Sequence, residues 1–184
     1  MNFIFKAIAI FTVVWCVERT LPNLLFDQAL NSHRQIFAMV GTSKRHNLIA
    51  GSLYATIRAH LKPPCKVYFA NIKVRIENVF YYPDLLVSCM NNHESRYYET
   101  ESCLIIEVLS PSTEAKDRFE KRLTYQRLPS LQEYMLVSQD KMAISIYRKE
   151  QDYWLIATYE DNDTVDLTSI NLSMQDLYAD VIDL

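Results

Sequence analysis

The sequence predicts one mixed α/β domain, a central mixed sheet flanked by helices. Three observations carry that expectation. The 184 residues, 49% apolar and 22% charged, can bury one sizeable core but hardly two. Helical and extended patterns follow one another as helix, strands, helix, strands. Finally, Cys103 to Leu109 (CLIIEVL) is a nearly continuous apolar run, the kind seen when both faces of a sheet are covered.

The elements follow in chain order. Phe3 to Val17 (FIFKAIAIFTVVWCV) is apolar apart from one lysine, shorter than the roughly twenty residues that span a bilayer. It is similar to the apolar part of a signal peptide, yet Val17-Glu18-Arg19-Thr20 offers no small-residue cleavage pattern. Residues 1–35 are therefore set apart as an atypical apolar segment, with the domain expected over 36–184. Thr42-Ser43 can cap a helix running to about Leu61, with Ala50, Leu53, Ile57 and Leu61 along one side and Pro63-Pro64 as the stop. Lys66 to Ile76, Phe80 to Cys89 and Cys103 to Leu109 read as strands. Ser112 to Leu128 reads as a helix capped by Ser112 or Thr113, with Glu114 and Asp117 at its positive end and Pro129 closing it. Strands are expected again over Tyr134–Ser138, Met142–Lys149 and Tyr153–Glu160, then a short helix over Met174–Tyr178.

Composition removes several functions. With only two glycines, Gly41 and Gly51, no glycine-rich phosphate cradle or dinucleotide turn can be built, so no nucleotide cofactor is expected. Cys16, Cys65, Cys89 and Cys103 form no CxxC pair, which leaves zinc-finger spacing out and points to reduced thiols in the cytoplasm. The net charge of −3 hides an asymmetry. From Glu150 onward there are nine acids and no base, whereas Asp27 to Glu77 encloses eight bases, Arg34 to Arg75, and no acid. Such a one-sided stretch attracts polyanions, DNA among them, unless acids from other segments neutralise it in space.

Two acids stand where strands should be apolar: Asp84 in Tyr81–Val87 and Glu107 in Leu104–Leu109. Burying one ionised carboxylate costs several kcal/mol unless a charge meets it. Two on neighbouring strands repel, and stay ionised with a cation between them. Hard oxygen ligands favour Mg²⁺ or Mn²⁺, and such a site suits phosphodiester hydrolysis, because the metal acidifies a bound water and neutralises charge building on phosphate. The alternative is that each acid ends a strand and pairs with a lysine or arginine.

Pro83-Asp84 followed by Glu107 looks like the PD-(D/E)XK nuclease motif, and Glu107 to Val137 (EVLSPSTEAKDRFEKRLTYQRLPSLQEYMLV) closely resembles a large bacterial family of restriction endonucleases. The resemblance runs from about Ile36 to the C-terminus. It implies a restriction-endonuclease-like fold and metal-dependent cleavage of DNA, with Asp84 and Glu107 as metal ligands. The lysine that the motif puts two residues after the acid is Leu109 here. The resemblance suggests Lys121 as its substitute, facing phosphate or orienting water. Lys121 shares a helix face with Asp117 and Tyr125, so a surface Asp117–Lys121 ion pair is the competing expectation. His46 matches a recurrent family position and, with Lys44 and Arg45, is a candidate for touching nucleic acid.

The chain also departs from the family. Arg34 and Gln35 stand where a glycine-glutamate pair is usual, and Leu30 where an earlier glutamate is usual, so a third carboxylate for the metal shell is missing. This coincides with the apolar Phe3–Val17 segment, as if the first thirty or so residues came from an altered start or a shifted frame. Reading the upstream DNA in all frames checks that. The rival functions are a catalytically inactive nuclease fold that binds nucleic acid, and a protein anchored in or exported across a membrane by Phe3–Val17. Tyr147, Tyr153, Trp154 and Tyr159 are expected to offer an apolar sheet face to a second copy, making a homodimer.

Overall fold

A computed structural model describes residues 42–90, 95–167 and 170–181. The apolar segment 1–35, with Arg34 and Gln35, lies outside the described residues.

The first helix, α1 (Lys44–His60), starts where the capping residues put it. The Ser43 hydroxyl accepts the His46 backbone N–H, and the chain turns extended at Leu61. Its Ile49, Ala50, Leu53 and Ile57 are buried, as their three- and four-residue spacing requires. Nine strands in two sheets follow: β1 (Lys66–Phe69), β2 (Lys73–Ile76), β3 (Val79–Tyr81), β4 (Leu85–Ser88), β5 (Tyr98–Glu99), β6 (Leu104–Leu109), β7 (Glu133–Ser138), β8 (Ala143–Glu150) and β9 (Tyr153–Glu160). The main sheet has six strands in the order β1-β4-β6-β7-β8-β9, with β6 and β7 parallel and the other pairs antiparallel. A smaller sheet runs β3-β2-β5. The chain then forms a hairpin, β10 (Thr164–Leu167) with β11 (Ile170–Ser173), and a last helix, α4 (Met174–Tyr178). This is the mixed α/β sheet with flanking helices that the sequence predicts.

Both faces of the main sheet are covered, which is why β6 and β7 are so apolar. Ile106 and Val108 of β6 pack on one face with α1 and α4, while Ile105 and Leu109 pack on the other with Tyr125, Leu128, Leu131 and Tyr134. The twofold period of the strand therefore sends Glu107 to the second face, the one it shares with Leu109.

Several expectations are corrected. Lys66–Ile76 is not one strand, because Ala70 and Asn71 adopt positive φ of 47° and 61°, and the chain passes there from the main sheet to the small one. Phe80–Cys89 is divided in the same way around Pro83, so Asp84 precedes β4 and is not embedded in a strand. The single helix over Ser112–Leu128 is three short pieces: α2 (Glu114–Lys116), a π-helical segment over Asp117–Lys121, and α3 (Arg122–Tyr125). Thr113 precedes it without a side-chain capping bond. The β10–β11 hairpin had no expected counterpart.

The cysteines are not all free. Lys66 pairs with Ser88 across β1 and β4, so the same antiparallel register carried one step outward sets Cys65 opposite Cys89, and these two form a disulfide. Cys103 keeps its thiol. The expected aromatic face on the last strands is also rearranged. Tyr147, Trp154 and Tyr159 pack against the cores, and of the four aromatics only Tyr153 is exposed, beside Leu155 and Ile156 on the edge strand β9.

Ala70 holds a left-handed conformation that costs a side chain about 1 kcal/mol or more, and it is exposed. Ala70→Gly is expected to raise stability by about 0.5–1 kcal/mol, read as a higher urea midpoint at unchanged m-value.

Candidate active site

The register of β4 and β6 builds the site. Leu85 pairs with Ile106 and Leu86 with Ile105, so one step earlier in β4's direction Asp84 stands across from Glu107. Side chains directly opposite on antiparallel neighbours lie roughly 5 Å apart at Cβ. Asp84 is fixed at the sheet's end by two donors to the same oxygen. The Val108 backbone N–H donates to Oδ2 at 2.8 Å, and His46 Nε2, in the first turn of α1, lies 3.2 Å from it.

Glu107 is 2% exposed. Its Oε1 accepts from Lys121 Nζ at 2.9 Å and from the Tyr125 hydroxyl at 2.9 Å. Lys121 Nζ also lies 2.8 Å from Asp117 Oδ1, and Asp117 is 1% exposed. The expected Asp117–Lys121 pair thus exists, but it is buried under the sheet and shared with Glu107. Asp117 and Lys121 bracket the π-helical segment, a widened turn of the kind that often marks functional sites. The Tyr134 hydroxyl donates to the Asp117 carbonyl at 3.0 Å, and Tyr81, Tyr125 and Tyr134 pack ring to ring at 5.4 Å. These tyrosines form an apolar wall that keeps the ion cluster out of water.

The electrostatics follow from that wall. Desolvation pushes the Glu107 carboxyl up to about 8, against the pull of Lys121 and with the push of Asp117 and Asp84. The two carboxylates hold the Lys121 ammonium well above the usual lysine range despite its burial, so Lys121 is a permanent cation here and no proton acceptor at neutral pH. Burial and the nearby Glu107 also raise the Tyr125 hydroxyl well above its ordinary value.

The donor chemistry fits a hard divalent cation. Asp84 commits Oδ2 and Glu107 commits Oε1 to protein donors, which leaves one carboxylate oxygen on each. Among the described residues no group of three or more His, Cys, Asp or Glu side chains is arranged to hold a metal. Of the three residues expected at nucleic acid, Lys44 is exposed, and His46 faces Asp84. Arg45 turns inward, donating from Nη2 to the Val181 carbonyl at 3.1 Å and, at the longer distance of 3.5 Å, from Nη1 to that of Gln139. A surface cavity of about 600 Å³ near Arg58 and Lys66 contains none of these carboxylates.

Sequence spacing brought Asp117, Lys121 and Tyr125 to one helix face, but it gave no sign that the face would be buried, nor that Tyr134 would join it. No helix among the described residues is long and apolar enough to cross a membrane.

Comparison with known proteins bears on family and fold. Residues 27–178 match a family model, Uma2, described as "Putative restriction endonuclease". A protein of Synechocystis sp. is 41% identical over 144 residues, covering 76% of each chain, and a second one is 27% identical over 129 residues, covering 66% of this chain and 73% of the other. Both are described as uncharacterized. A crystal structure from Anabaena variabilis, titled as a putative nuclease belonging to DUF820, superposes with a TM-score of 0.64 over 78% of this chain and 85% of that one, at 18% identity. At that identity the likeness concerns the fold.

Two substitutions test the ion cluster. Lys121→Met leaves Glu107 and Asp117 buried without their cation, and is expected to lower unfolding free energy by about 3–5 kcal/mol, measured by urea denaturation at pH 7. Glu107 behaves oppositely with pH. Its proton is held more tightly in the folded state than the ordinary 4.5, so its contribution to stability is full below about pH 4.5 and is lost as pH rises toward about 8. Without divalent ions, Glu107→Gln is expected to be more stable than the parent at pH 8.5 by about 2 kcal/mol, the difference vanishing near pH 4.5.

Proposed function

Because the chain belongs to the Uma2 family of putative restriction endonucleases, we propose that it is a divalent-metal-dependent DNA endonuclease hydrolysing phosphodiester bonds. The observation that carries this reading is the placement of Asp84, just before β4, across from Glu107 of β6, beside a lysine that Glu107 and Asp117 both engage.

Each residue has a role within that reading. Asp84 and Glu107 would hold Mg²⁺ or Mn²⁺, since carboxylate oxygens are the donors such hard cations take. When bound, the ion supplies Lewis acidity toward the phosphate and lowers the pKa of a coordinated water. His46 and the Val108 N–H fix the direction of the Asp84 carboxylate. Lys121 stands in for the cation missing at Leu109. Because Glu107 and Asp117 keep it protonated, it works as a fixed positive charge near the scissile phosphate, not as a base. Asp117 anchors Lys121, and the tyrosine wall keeps water from screening the charges. Lys44 adds an exposed cation at the start of α1. Cutting both strands of a duplex from one such site per chain favours a homodimer, for which the exposed edge strand β9 offers Tyr153, Leu155 and Ile156.

A second reading is a nuclease fold that binds nucleic acid without cutting it. What favours it is the engagement of Lys121 by two carboxylates at once, together with Leu109 in the lysine position.

Supercoiled plasmid incubated with purified protein and Mg²⁺ or Mn²⁺ separates the two. Nicking or linearisation is expected, abolished by EDTA and reduced at least about 100-fold, or about 2.7 kcal/mol of transition-state stabilisation, by Asp84→Ala or Glu107→Ala. Binding with no cleavage under any divalent ion would favour the silent fold.

A further inference from the structure

The small sheet β3-β2-β5 has two unlike faces. On β2, Val74 and Ile76 are buried in the second core, which turns Lys73 and Arg75 to the opposite side. Pairing then fixes their neighbours. Phe80 of β3 stands opposite Arg75, and Tyr98 of β5 opposite Lys73. Tyr82, two residues beyond Phe80, continues the same face. Phe80 is 47% and Tyr82 52% exposed, a large aromatic surface to leave in water.

The cations and rings on this face are interleaved. Lys73 Nζ lies 5.7 Å from the Phe80 ring centroid and 5.6 Å from that of Tyr82, and the Arg75 guanidinium lies 5.0 Å from the Tyr98 ring while donating to its hydroxyl at 2.8 Å. Phe80 and Tyr98 meet edge to face at 5.5 Å. The nearest ladder acid, Glu99, pairs with Val74 and so belongs to the other face. Among the described residues, the ladder positions of this face carry the cations and the exposed rings.

The other side of the same strands leads to the ion cluster. Tyr81 pairs with Val74, packs against Tyr125 at 5.4 Å, and donates to Glu120 Oε1 at 2.8 Å. Tyr125 donates to Glu107. One strand, β3, thus bears the exposed rings and backs onto the wall of the site.

We propose that the outer face of this sheet, with Phe80 and Tyr82 as stacking surfaces and Lys73 as the phosphate contact, docks single-stranded nucleic acid. Bases have π-faces whatever their sequence, so exposed rings threaded with cations suit an unpaired strand, whereas a duplex hides its base faces inside the stack. The inference rests on the nuclease reading only for the class of ligand and adds a docking face for an unpaired stretch of strand, and the contact itself needs neither metal nor cleavage.

The test is fluorescence anisotropy of a labelled 12-nucleotide oligothymidylate titrated with full-length protein in EDTA. Binding is expected to be tighter for this strand than for its duplex with oligodeoxyadenylate, and to weaken at least tenfold in a Phe80→Ala, Tyr82→Ala double variant. An oligouridylate arm distinguishes DNA from RNA as the source of the strand. Phe80→Leu with Tyr82→Leu keeps apolar bulk while removing the rings; circular dichroism verifies its fold, and it is expected to lose affinity like the alanine pair. Unchanged affinity in the folded leucine pair, or preference for the duplex, overturns the proposal. So does dimerisation seen by sedimentation and lost in that pair, which would make a second copy the occupant. Because EDTA suppresses cleavage, absence of nuclease activity leaves this outcome unaffected.

Discussion

The interaction on which the rest depends is the contact of Lys121 with Glu107, buried under the central sheet. A carboxylate in the middle of a covered strand is untenable alone. Lys121 makes it tenable, Asp117 balances the lysine, and tyrosine hydroxyls give a second donor to Glu107 Oε1 and one to the Asp117 backbone carbonyl. Each group would be a liability without the others. A core that only needed stability would do as well or better with apolar residues in these places, so a lysine set between two buried acids fits chemistry better than architecture.

The fold serves this cluster in a direct way. Parallel pairing of β6 with β7 and antiparallel pairing with β4 bury β6 at the centre of the sheet, where its backbone is held on both sides. Glu107 is therefore presented from an interior strand held on both sides. Asp84 comes from the less regular stretch just before β4, yet its carboxylate is tied to the Val108 N–H, so the two acids are aligned through β6 itself. The π-helical segment does the rest. It carries Asp117 and Lys121 on the side that closes over Glu107.

The same economy appears in the small sheet, whose strands face the tyrosine wall with one side and water with the other. Val74, Ile76 and Tyr81 close the cluster off, while the alternate positions are free to carry a different chemistry. A two-residue period makes that division automatic: a single short strand supplies both the roof of a buried site and an exposed surface above it.

Much of this was legible in the chain. The apolar run around Glu107, the capping of α1 by Ser43, the three- and four-residue spacing of Ile49, Leu53 and Ile57, and the family resemblance through Glu107–Val137 depend on neighbours in sequence, and local chemistry determines them. The two anomalous acids announced themselves in the same way, because an ionisable group in an oily strand is visible without coordinates. Tertiary structure decided what local pattern cannot hold. It split Lys66–Ile76 at Ala70 and Phe80–Cys89 at Pro83, since a strand's membership in one sheet or another depends on which partners reach it. It joined Cys65 to Cys89, residues made opposite by the register of β1 on β4, and it turned a surface-looking Asp117–Lys121 pair into a buried one. In every case the reason is the same: periodicity tells which side of an element a residue is on, but only the packing of distant segments decides whether that side meets water, a core or another charge.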